Sequence, residues 1–200
     1  HPEKIALTQA YDFYDAVISD DISRADGVKR NTDRTMRIMK SYARNIAAQA
    51  SLETIRADVV SNGLETFDKE SLYSCLNALK KIHVIEDSPA WNPSLRTKTP
   101  IRSSDTRYFV DPSVAAEALG IGPEDLINDL ELMGLMFENL CVRDLRVYAD
   151  AIGGNVYHYR DKTGLECDAV VHLRNGSYGL IEIKLGGDRL ISQGAESLLR

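Results

Sequence analysis

Glu182-Ile183-Lys184 sets a carboxylate and an ammonium two residues apart, and Asp168 precedes Glu182 by fourteen residues. On a β-strand successive side chains alternate, so Glu182 and Lys184 share one face while Ile181, Ile183 and Leu185 share the other. An aspartate and a glutamate that converge offer hard oxygen ligands to Mg²⁺ or Mn²⁺. A lysine beside them can stabilise negative charge growing on a phosphoryl group. The combination suits metal-assisted phosphodiester hydrolysis.

Register decides whether Asp168 joins the pair. The runs Glu166 to Leu173 and Ser177 to Leu185 are β-rich and flank Arg174-Asn175-Gly176, a hairpin signal. A two-residue Asn175-Gly176 loop would oppose Asp168 to Ile183 and send the two carboxylates to opposite faces. A three-residue loop with Gly176 in the left-handed conformation opposes Asp168 to Glu182 directly. The second register is expected, and because facing like charges repel, the chain either tolerates a penalty or binds a cation between them, of which the cation is the expectation. The strand of Glu182 is apolar on both sides of the motif and is expected to be buried and central. Lys184, beside two carboxylates, keeps its proton and acts as an electrostatic stabiliser more readily than as a base. Glu138, in a long helix next to Phe137 and Leu140, is the candidate third carboxylate, the alternative being a surface place on the helix flank. Gln193 is a further residue that could reach the cluster.

Two hundred residues with 44% apolar composition can form real cores. No stretch has the apolar length of a membrane span and no secretory signal is visible, so no membrane partner and a cytoplasmic location are expected. His1 in place of Met points to a fragment of a longer protein. Cys75, Cys141 and Cys167 are odd in number and far apart, which reads as reduced core residues with no disulfide framework. The net charge of −6 is uneven: up to Val110 there are 16 basic and 15 acidic residues, and from Asp111 onward 8 and 15.

The elements that must position the site follow from periodicity. A helix is expected over Ile5 to Ile18, then a charged connector to Asn31. Met36, Met39, Ala43, Ile46 and Ala50 mark a second helix. Ser51 caps a third helix over Leu52 to Val60, and Asp68 caps one with Leu72, Leu76 and Leu79 inward. His83 to Asp87 and Arg107 to Val110 read as strands around a Pro-rich excursion. Three helices and a hairpin make a winged helix, with its last helix over roughly Lys69 to Lys81. Lys80, Lys81, Arg96, Lys98 and Arg102 are then the candidates for phosphate contact. Past Asp111 come a short helix, a long helical stretch over Glu124 to Tyr148, three strands, and a last helix from about Gly187. The fold class is α+β: residues 1–32 a helical connector, 33–112 a winged-helix domain, and 113–200 an α/β domain with a mixed sheet flanked by helices.

Phe137-Glu138-Asn139, Tyr159-Arg160-Asp161-Lys162-x-Gly164-x-Glu166-x-Asp168 and Ile181-Glu182-Ile183-Lys184 occur in that order, preceded by Tyr108-Phe109-Val110-Asp111. The chain thereby resembles the C-terminal region of bacterial and archaeal AAA-type ATPases, a winged helix followed by a domain similar to the PD-(D/E)XK (restriction-endonuclease-like) nucleases. The resemblance covers nearly the whole chain. It implies Glu138, Asp168, Glu182 and Lys184 as catalytic residues. A Mg²⁺ or Mn²⁺ ion would be held by Glu138, Asp168, Glu182 and the main-chain carbonyl of Ile183. Cys167 stands where the motif name has proline. No G-x-x-x-x-G-K-[ST] phosphate loop occurs, so ATP would belong to an ATPase module upstream.

Two functions follow as expectations. One is a nuclease-like, DNA-docking portion of such an ATPase that hydrolyses phosphodiesters. The other is a catalytically inactive regulatory or protein/DNA-interaction module. Partners expected are nucleic acid, chiefly DNA, and the upstream ATPase module, with self-association into a homo-oligomer left open.

Overall fold

The computed structural model describes residues 2–63, 67–92, 104–161 and 164–199. Helix α1 (Pro2–Ala16) continues through a π-helical stretch, Val17–Asp21, into a last turn α2 (Ile22–Arg24). The charged segment expected as a connector from Ser19 is therefore helical to Arg24. Its reason is apolar: Val17, Ile18 and Ile22 are buried, and the π insertion rephases the helix so that all three face inward.

Three helices follow, α3 (Thr32–Arg44), α4 (Leu52–Ser61) and α5 (Lys69–Lys81). Each begins on a side-chain cap: Asn31 accepts from Arg34 N at 3.0 Å, Ser51 from Thr54 N at 3.0 Å and Asp68 from Ser71 N at 2.7 Å. Leu72, Leu76 and Leu79 are buried as the stripe requires. Beyond α5 the chain pairs antiparallel with the segment around Phe109, through Glu86 N to Tyr108 O at 2.9 Å, Thr106 N to Ser88 O at 3.0 Å and Val110 N to Val84 O at 3.0 Å. The two expected strands appear as isolated bridges, Ile85 with Phe109 and Ser88 with Thr106. The basic residues Arg96, Lys98 and Arg102 lie outside the described residues.

Helix α6 (Pro112–Leu119) starts on Asp111 and closes at Gly120, which takes the left-handed conformation at φ 74°. The expected long helix is two, α7 (Pro123–Asn128) and α8 (Leu130–Ala151), because Asp129 leaves the helix to cap Leu132 N at 3.0 Å. Strands β1 (Gly154–Arg160), β2 (Glu166–Leu173) and β3 (Tyr178–Ile181) form an antiparallel sheet in the order β1-β2-β3, and α9 (Asp188–Leu198) follows.

Two expectations need correction. Among the described residues the sheet is antiparallel where a mixed one was expected, and parallel pairing to it is limited to one bridge between Ala90 and His158. And β3 is an edge strand among the described residues, with Tyr178 and Leu180 exposed, whereas the strand buried in the centre is β2. Of the apolar run that suggested a central strand, Leu180 and Leu185 are exposed, while Ile181 and Ile183 pack against the cluster of Val142, Val156 and Ala169.

The main core unites Tyr14, Val17 and Ile22 with Tyr42, Leu79 and Phe109 and reaches Met136 on α8. Helices α1 and α2 with the π-helical stretch between them are thus part of the helical body, and α8 belongs to both cores. Cys75 and Cys167 are buried, Cys141 half-buried, and all three are free thiols. No helix among the described residues is long and apolar enough to cross a membrane.

Candidate functional site

The site is set by a turn. Leu173 N–H donates to Ser177 O at 2.8 Å, Gly176 N–H to Leu173 O at 3.0 Å, and Gly176 sits at φ 88°, a conformation that favours glycine. Arg174-Asn175-Gly176 is therefore a three-residue loop, and Ala169 pairs with Ile181, Val171 with Gly179. One step further along this register Asp168 faces Glu182. The ladder stops there because the Asp168 carboxylate takes the next donor itself: Ile183 N–H donates to Asp168 Oδ2 at 2.7 Å.

Around that point the chain gathers its charges. Lys184 Nζ lies 2.7 Å from Glu182 Oε1 and 3.7 Å from Asp168 Oδ2. The Glu182 side chain is 9% exposed, and its second oxygen, Oε2, is buried with no hydrogen-bond partner among the described residues. Helix α9 covers these stems at buried Gly194, where an added Cβ would come within 3.1 Å of Glu182 Cγ. A side chain at that position would displace the glutamate.

Glu138 arrives from α8. Tyr108, on the bridge segment of the helical body, donates its hydroxyl to Glu138 Oε1 at 2.7 Å. The next residue on each side is also joined: Phe109 N–H donates to Asn139 Oδ1 and Asn139 Nδ2 to Phe109 O, both at 2.8 Å, with Asn139 fully buried. Burial, then the charge of Asp168, push the Glu138 carboxyl up to about 8, against the opposing pull of Tyr108 and Lys184. Asp168 is also raised, by burial first, with the Ile183 hydrogen bond working the other way. For Lys184 burial lowers the pKa, but the hydrogen bond to Glu182 and the surrounding carboxylates outweigh it and the net shift is upward.

The sequence candidates Glu138, Asp168, Glu182 and Lys184 are thus brought into one electrostatic cluster. Ile183 enters it through its amide N–H, where its carbonyl was expected as a ligand. Gln193 is exposed on α9. Of the lysines expected at phosphates, Lys80 is paired with Asp87 at 2.5 Å and Lys81 is exposed. Tyr108, Asn139 and Arg146 escaped sequence reasoning as site neighbours. Arg146 lies over the Tyr108 ring, 5.4 Å from its centroid. No spacing rule links positions thirty residues apart on different elements.

The donor chemistry fits a hard divalent cation: carboxylate oxygens, one of them orphaned in the interior, and an excess of negative charge. Among the described residues no three His, Cys, Asp or Glu side chains converge as ready-made ligands, and the Lys184 ammonium bridges Asp168 and Glu182.

Comparison with known proteins gives two family matches. Residues 2–125 match a domain of unknown function, DUF8612, and residues 133–197 match a second, DUF4143, a domain found in AAA-ATPase-associated proteins. The matches part between Asp125 and Met133, across the helix break at Asp129. Among curated proteins and solved structures nothing matches the chain. Since the first match spans more than half of the molecule, the chain belongs to the DUF8612 family and bears a DUF4143-like region behind it.

Proposed function

We propose that the chain is the docking and nuclease-like portion of an AAA-type ATPase, with a metal-dependent phosphodiesterase site of the PD-(D/E)XK kind behind a winged-helix module. The observation that carries this reading is the pairing of Lys184 with both Asp168 and Glu182, the electrostatic coupling of Glu138 to them, and a buried Glu182 oxygen with no hydrogen-bond partner among the described residues. Asp168 and Glu182 would hold Mg²⁺ or Mn²⁺, with Glu138 as third carboxylate. The ion supplies polarisation of the scissile phosphate and a lowered pKa for the attacking water. Lys184, kept protonated by its neighbours, meets charge developing on the phosphoryl oxygens. Helix α9, seated on the Glu182 stem, limits water around it.

The acidic C-terminal half would repel a phosphate backbone, so cations must come from the helical body. Helices α3 to α5 with the antiparallel bridges after them support the winged-helix reading, and Lys81, Arg96, Lys98 and Arg102 are its phosphate contacts. Incubation with labelled single- and double-stranded DNA and RNA, with Mg²⁺ or Mn²⁺, tests the activity. Metal-dependent cleavage by the wild type and none by Asp168→Ala is the expected result.

One observation favours a second reading. The Lys184 ammonium already neutralises Asp168 and Glu182 in part, as in a structural network. A regulatory module that has kept the fold without the activity would cleave none of the four substrates and still bind DNA through the helical body.

A further inference from the structure

We propose that Tyr108 is a positioning residue of the acidic site, so that the site is complete only when the helical body is seated on α8. The proposal rests on the metal-site reading for what the cluster does and goes beyond it in assigning a residue from outside the DUF4143-like region. Tyr108 lies within the DUF8612 match, and Glu138 within the other.

The geometry is that of a clamp. Two successive residues, Tyr108 and Phe109, are bonded to two successive residues of α8, Glu138 and Asn139, the first through a side-chain hydroxyl and the second through both backbone groups. The Asn139 bonds are fully buried and fix the height of α8 against the segment. With that height set, the Tyr108 hydroxyl reaches Glu138 Oε1 at 2.7 Å and restricts the carboxyl to one placement, within the electrostatic influence of Asp168. The ring is held from its other contacts as well, by Arg146 above it, which in turn pairs with Glu86 at 3.7 Å. Glu86 N–H donates to the carbonyl of Tyr108. A hydrogen-bonding partner that orients a metal-binding carboxylate has a recognisable effect when removed, a loss of metal affinity of about 10–100-fold.

The test is a double-mutant cycle on the full chain, with Mn²⁺ affinity read by electron paramagnetic resonance for wild type, Tyr108→Phe, Glu138→Gln and the double variant. Tyr108→Phe keeps the ring, so the metal-free melting temperature should move by only a few degrees. Its Mn²⁺ affinity should fall about 10–100-fold. In the Glu138→Gln background the same change should cost nothing further, because the oriented group is already gone. Wild-type affinity in Tyr108→Phe, or an equal loss in both backgrounds, would overturn the proposal and leave Tyr108 as a packing residue. A wild-type chain that binds no Mn²⁺ would remove the metal reading by itself. The side-chain carboxyl ¹³C resonance of Glu138 in the metal-free protein then decides the positioning claim, which holds if Tyr108→Phe shifts it and fails if it does not.

Discussion

Two buried charge networks in this molecule are built on opposite principles. In the helical body Asp87, with its side chain 6% exposed, is met by the Tyr42 hydroxyl, the Arg107 guanidinium and the Lys80 ammonium, and Arg107 Nε also donates to Ala50 O at 2.8 Å. Asp87 faces two cations and a hydroxyl, and a second acid, Asp105, lies 3.9 Å from Arg107. At the end of β2 the ratio is inverted: Asp168, Glu182 and Glu138 face the ammonium of Lys184, and Glu182 Oε2 has no partner among the described residues. A fold gains nothing from a surplus of buried acid, since desolvation and repulsion add. The first network ties α3, α5 and the bridge segments together, and the second is the acid surplus on which the proposed cation site rests.

The largest effect should come from unbalancing the balanced network. Asp87→Ala leaves Arg107 buried without its carboxylate, at a cost of about 3–5 kcal/mol, to be read from urea unfolding. Wild-type stability in that variant would erase the contrast.

Next comes pH. The folded chain holds the Glu138 proton up to about pH 8, against an ordinary value of 4.5. Between those limits the native state binds more protons than the unfolded one, so stability is full below pH 4.5 and is lost as pH rises through 8. The loss is on the order of 2–3 kcal/mol, the full shift being discounted for screening at a partly open site. Burial sets the rise first, with Asp168 and Glu182 adding to it and Tyr108 and Lys184 opposing it. Thermal melts of metal-free protein across this range should show the decline, and Glu138→Gln should remove it. An unchanged slope in Glu138→Gln would place the titrating group elsewhere.

A smaller effect sharpens the comparison from the other side. Glu182→Ala deletes an orphaned oxygen and a repulsion along with a half-exposed lysine contact, so metal-free stability should change by less than about 1 kcal/mol. A large destabilisation would make Glu182 a structural residue like Asp87. Smallest is Lys81→Glu, which should weaken DNA binding equally for all sequences and lower the salt slope by about one.

Much of this site was legible in the sequence because its geometry is local. Arg174-Asn175-Gly176 marks the hairpin and allows two loop lengths, of which the three-residue one forms, and its register sets Asp168 against Glu182. Helix caps at Ser51 and Asp68 were legible for the same reason, each being a contact within one turn. What escaped depends on contacts distant in sequence. Strand β3 was read as central because Ile181 and Ile183 are apolar, yet one apolar face is all an edge strand needs. The π-helical continuation through Val17–Asp21 was hidden by its charged residues, since the three that matter are separated by an irregular step. Tyr108 and Asn139 carry no periodic signal: their roles exist only once α8 lies against the bridge segment.

The divalent-cation site proposed at the acid surplus of Asp168, Glu182 and Glu138 has a thermodynamic signature. Its most direct measurement is the melting temperature of the wild-type chain and of Asp168→Ala with and without millimolar Mn²⁺. A ligand bound to the native state alone raises stability by mass action, so the wild type should melt several degrees higher in Mn²⁺ and Asp168→Ala should not respond. A wild-type chain indifferent to Mn²⁺ would contradict the claim and assign the cluster to a structural network held by Lys184.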